Sequence, residues 1–132
     1  MIPLEKDDKI ERVVMCTGKI YYDLVDEREK LKANKVQLVR IEQLYPFPAK
    51  TLARHLNRFS KAKSFVWCQE EPQNMGCWNH VERYINRTLD YISTKSKKLK
   101  YIGRKPSASP ASGYLKKHLA QQQEIVTTAI KL

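Results

Sequence analysis

Apolar residues along this chain follow two rhythms, and the rhythms take turns. Four short runs, residues 12–17, 36–41, 64–69 and 98–102, are dense in β-branched or aromatic side chains. Each is bounded by glycine, proline or charged clusters, so each predicts a strand. Between them the spacing lengthens to three and four. Ile20, Leu24, Val25, Arg28 and Leu31 stripe one face of a helix over 19–33. Leu52, Leu56 and Phe59 do the same for a shorter helix that starts only after Pro48, because proline fits the first turn of a helix and breaks its interior. Val81, Tyr84, Ile85, Thr88, Leu89 and Ile92 mark a third helix opening near Gly76. Leu115, His118, Leu119, Gln122, Ile125, Val126 and Ala129 mark a fourth from about residue 112. Strand alternating with helix predicts an α/β fold, a mostly parallel sheet with helices on both faces, in which one antiparallel edge strand is admissible. Residues 1–11 carry neither rhythm and read as a linker or the remnant of an upstream region, leaving 12–132 as the domain.

Composition narrows the class. A chain of 132 residues, 42% hydrophobic and 30% charged, suits one globular domain. No apolar run approaches the ~20 residues of a membrane span, and the first residues lack the apolar core of a signal peptide. The cysteines (Cys16, Cys68, Cys77) and histidines (His55, His80, His118) are scattered and without metal-ligand spacing, so no metal site is expected. Net charge changes the picture more. At +11 the chain favours an anionic partner, and residues 93–105 hold six cations and no acid. That run reads as a solvated loop and a lysine-guarded edge strand. Its aromatic interleaving is too loose for a nucleic-acid module, which stays the alternative reading.

The loops after parallel strands gather on one edge, where α/β folds place ligands. Thr17-Gly18-Lys19 there resembles a phosphate loop but lacks its second glycine and its hydroxyl. A helix N-terminus beside an ammonium still suits an anion. Arg104 offers a planar fork, and Ser107 and Ser109 offer hydroxyl donors in a proline-stiffened loop. Lys19, Arg104, Ser107 and Ser109 are therefore the candidate anion-binding residues, against a plain structural role for each. Glu70 and Glu71, adjacent on an extended segment, point to opposite faces and do not form an acid–base pair. One is expected to charge the following helix N-terminus and the other to pair with a cation.

Longer phrases carry a resemblance. The segments 13–24 (VVMCTGKIYYDL), 39–48 (VRIEQLYPFP), 65–72 (FVWCQEEP, with Asn74, Gly76 and Trp78 after it) and 101–114 (YIGRKPSASPASGY) stand in one order with Lys117, His118 and 121–124 (QQQE) behind them. Together they resemble the last domain of the decarboxylating component of 2-oxoglutarate dehydrogenases, in the transketolase-like class. Lys105, between Arg104 and Pro106, departs from that family's Gly-Arg-Pro. The thiamine diphosphate motif Gly-Asp-Gly is absent, so the chain is expected to be an excised C-terminal domain.

The resemblance implies a transketolase C-terminal-like sheet of about five strands. It implies a homodimeric parent that decarboxylates 2-oxoglutarate on thiamine diphosphate with magnesium and succinylates lipoyl groups of a succinyltransferase component in the citric acid cycle. In that family this domain serves assembly and, in some members, a nucleotide or coenzyme A effector. The segment alone is expected to be non-catalytic and to bind neither cofactor, nucleic acid nor membrane. Glu70, Glu71, Asn74, Gly76 and Trp78 are the expected interface residues. A bacterial parent would be cytoplasmic, a eukaryotic one mitochondrial.

Overall fold

A computed structural model describes residues 2–92, 98–104 and 115–132. Strands β1 (Arg12–Cys16), β2 (Val36–Arg40), β3 (Ser64–Pro72) and β4 (Lys100–Arg104) alternate with helices α1 (Ile20–Leu31), α2 (Ala49–Asn57), α3 (Trp78–Tyr91) and α4 (Leu115–Ile130). The strands form one sheet in the order β2-β1-β3-β4, and every pairing is parallel. Four apolar runs thus supply four strands among the described residues. The fifth strand implied by the resemblance is not among them, and neither is an antiparallel edge.

The two-residue period of the strands sorts the core into two layers. Val13 and Met15 of β1, with Phe65 and Trp67 of β3, face Leu52, Leu56, Val81, Ile85 and Leu89 of α2 and α3. Val14, Cys16, Val66 and Cys68 face Ile20, Leu24, Ile125, Val126, Ala129 and Ile130 of α1 and α4. β1 and β3 are buried on both faces, which explains their unbroken apolar runs. Arg12 ties the first strand to the last helix. Its Nε donates to Ser64 Oγ at 2.9 Å, and Nη1 donates to the carbonyls of Thr128 (3.1 Å), Ala129 (3.1 Å) and Lys131 (3.3 Å). Those carbonyls lie at the end of α4, where helices leave acceptors open.

The segment read as a linker is packed on the domain. Ile10 is 2% exposed within the α2–α3 core layer. The Ile2 amide donates to Glu29 Oε2 at 2.7 Å, and Asp7 holds Arg58 at 3.0 Å. Residues 2–11 lack a period because they pack point by point.

One histidine makes stability depend on pH. His55, on α2, lies edge-on to Phe59 at 5.8 Å between ring centroids. Burial, and then the Arg58 charge, hold its pKa below the ordinary 6.5, with Asp7 opposing. The unfolded chain therefore takes up that proton first as pH falls, and the stability His55 contributes above pH 6.5 is lost as pH drops through its lower folded value. Thermal melts at pH 7 and pH 5 should show a fall in Tm that is smaller in His55→Gln; an equal fall would exclude His55 as the source. Glu11, whose pKa is lowered by its Lys63 hydrogen bond, loses its contribution only below 4.5, outside this window.

Candidate functional site

The carboxyl ends of the strands carry the candidate residues, and one buried side chain organises them. Gln69, 3% exposed, sits where β3 leaves the core. Its Oε1 accepts from Trp67 Nε1 at 2.9 Å and from the Trp78 amide at 3.1 Å. Its Nε2 donates to the carbonyls of Glu71 (3.2 Å), Pro72 (3.0 Å) and Met75 (2.9 Å). This amide thus links the sheet, the turn after it and the start of α3. Sequence reasoning passed it over, since a glutamine closing an apolar run reads as the solvated end of a strand.

The turn fits closely around that amide. Gly76 adopts φ 65°, and a Cβ there would lie 3.1 Å from Glu71 Cβ and 3.3 Å from Gln69 Nε2. Trp78 is half-buried and stands edge-on to Tyr101, with centroids 5.1 Å apart. The Tyr101 hydroxyl donates to the Arg104 carbonyl at 2.6 Å, and burial pushes its pKa up to about 12. Glu71, Asn74 and Gly76 are exposed. Of the five residues expected at an interface, Glu71, Gly76 and Trp78 meet around Gln69, whereas the Glu70 carboxylate turns to Lys19.

Two expectations are corrected here. The third strand was expected to end at Gln69, but β3 runs on through Glu70 and Glu71 to Pro72, with a register shift against β4 between Cys68 and Pro72. The shift lets β3 stay paired through a Glu-Glu-Pro sequence that reads as a turn. Nor does a carboxylate cap α3. Its N-cap, Cys77, makes no side-chain cap bond, and the Trp78 amide is satisfied by Gln69.

The candidate anion residues divide. Lys19 caps α1 after Gly18 at φ 81°, its side chain is 85% exposed, and its Nζ lies 3.9 Å from Glu70 Oε1. That exposed pair contributes ~0–1 kcal/mol. Arg104 is engaged more fully. Nη1 donates to the Glu70 carbonyl, Nη2 meets His118 Nδ1 at 3.2 Å and Gln122 Oε1 at 3.4 Å, and Nε meets Gln121 Oε1 at 3.4 Å. Its fork clasps β3 to α4, and Glu70 stands between it and Lys19. Ser107 and Ser109 lie outside the described residues.

No cysteine here is poised as a nucleophile. Burial pushes the Cys16 thiol up to about 12 and raises those of Cys68 and Cys77 as well. Among the described residues no three His, Cys, Asp or Glu side chains converge as metal ligands, and no helix is long and apolar enough to cross a membrane.

Comparison with known proteins decides the lineage. The profile of the family described as 2-oxoglutarate dehydrogenase C-terminal matches residues 2–130. The chain belongs to that family. As a 2-oxoglutarate dehydrogenase C-terminal domain, it is 51% identical over 129 residues to the 2-oxoglutarate dehydrogenase E1 components of Brucella anthropi and Brucella ovis. The alignment takes in 98% of this chain and 13% of each relative's length. A solved structure titled as a split gene transketolase, inactive beta4 tetramer, shares the fold at a TM-score of 0.62 and 12% identity, over 97% of this chain and 38% of its own. The resemblance of fold to the transketolase class is thus shown.

Proposed function

We propose that this domain assembles and regulates a 2-oxoglutarate dehydrogenase E1-type chain and performs none of its chemistry alone. The observation that carries this reading is the use of the strand-end polar groups. Gln69, Tyr101 and Arg104 are engaged in holding backbone, and the two carboxylates lie on one strand instead of flanking a substrate. The parent reaction would use thiamine diphosphate with magnesium, and the donor set here does not fit that group: Gly-Asp-Gly is absent, and no metal-ligand cluster forms among the described residues. In this reading the exposed Glu71, Asn74 and Gly76, with Trp78 behind them, face a second subunit of a homodimeric enzyme. A phosphorylated effector would meet Lys19 and displace the long Arg104 contacts to Gln121 and Gln122. The lipoyl-bearing succinyltransferase is a partner of the whole enzyme.

The test has two arms. Calorimetry of the isolated chain with thiamine diphosphate and magnesium should give no binding heat, and 2-oxoglutarate should release no carbon dioxide; micromolar cofactor binding would overturn the reading. In a full-length E1 relative, Trp78→Ala at the matching position should weaken subunit association more than it lowers the melting temperature of the isolated domain. Equal losses would make the tryptophan a packing residue only.

A further inference from the structure

Between α2 and α3 lies a groove of about 1150 Å³. Ala49 and Ala53 of α2 meet Tyr84, Thr88 and Tyr91 of α3 across it, spacings of four and seven that place each set on one helix face. Tyr91 is 85% exposed, an unusual position for an aromatic ring. Three cations, Lys50, Arg54 and Arg87, line the same groove, and no acid does. None of the three takes part in an ion pair among the described residues, where Lys19, Lys35, Arg40, Arg58 and Lys63 do.

We infer that this groove docks an acidic segment of a partner protein, with an aliphatic or aromatic side chain seated between Ala53 and Tyr91 and carboxylates meeting Arg54, Arg87 and Lys50. An apolar floor with a cationic rim is the complement of an amphipathic acidic helix. The cleft is wider than most small-molecule pockets, which hold ~300–1000 Å³. A second copy of this chain is a poor occupant of this groove, since a molecule of net charge +11 would meet a cationic rim. Nucleic acid is another, because a mainly apolar floor gives a polyanion nothing to meet between the rim cations.

Fluorescence anisotropy with the 132-residue chain tests this, using a labelled fifteen-residue peptide that places leucine at helical spacing among glutamates. Micromolar binding is expected, weaker by about tenfold for a scrambled peptide of the same composition and for polyglutamate of equal charge. Arg54→Glu with Arg87→Glu should lower affinity by tenfold or more, by reversing the rim charge. Tyr91→Ala, at an exposed position, should weaken the peptide while leaving the circular dichroism spectrum and melting temperature unchanged. Equal binding of peptide and polyglutamate, tighter binding of a single-stranded oligonucleotide, concentration-dependent self-association through the groove, or no binding below a millimolar would each overturn the proposal.

Discussion

Gln69→Leu is expected to cost the domain ~3–5 kcal/mol, because it strands several polar groups with a single change. Leucine matches the volume of glutamine but leaves Trp67 Nε1, the Trp78 amide and three turn carbonyls without their partner. A buried group left unsatisfied costs ~1–3 kcal/mol, and water reaching the half-exposed turn restores only the outer acceptors. The indole N–H of Trp67, in a residue that is 0% exposed, has no such recourse. Urea denaturation should report the loss as a lower midpoint at constant slope. A change below ~1 kcal/mol would show that the turn holds itself without the amide.

Gly103→Ala is expected to cost ~2–4 kcal/mol through overpacking. A Cβ at this position would lie 2.5 Å from the Tyr101 hydroxyl and 2.8 Å from the Gln69 carbonyl. The hydroxyl belongs to a side chain and can move, at the expense of its 2.6 Å bond to Arg104. The carbonyl is backbone and cannot. Adding Tyr101→Phe should therefore recover part of the loss and never all of it, a coupling that a double-mutant cycle in urea would read. Full recovery would place the whole conflict on the tyrosine.

How much of this was legible beforehand depends on whether an interaction is local. Strand and helix periods are local, so α1 to α4 and three of the four strands begin where the spacing places them, to within a few residues. β4 starts two residues late because the Leu99 amide turns aside to Asn86 Oδ1 at 2.9 Å. The end of β3 was misplaced for a different reason. Glu-Glu-Pro has the chemistry of a turn, and only the register shift against β4 and the Gln69 amide keep it extended. Arg104 shows the limit for sites. Its sequence neighbours suggest an anion fork, whereas its bonds reach back to Glu70 and forward to His118 and Gln122. The α2–α3 groove had no signature at all, since apolar stripes report the face a helix buries and are silent about the gap between two helices.

The placement of α4 has a consequence for how the domain is born. The sheet face that carries Val14, Val66 and Cys68 is closed by Ile125, Val126, Ala129 and Ile130, and Arg12 waits for carbonyls from Thr128 onward. During synthesis β1, β2 and β3 can pair, and α2 with α3 can seal the opposite face, while this one is covered by Ile20 and Leu24 of α1 alone. A nascent chain halted before residue 125 would thus present a half-covered parallel sheet to solvent, a surface of the kind chaperones hold. Folding of this domain then completes only after translation has passed its last helix, and its first strand is among the last pieces to be locked.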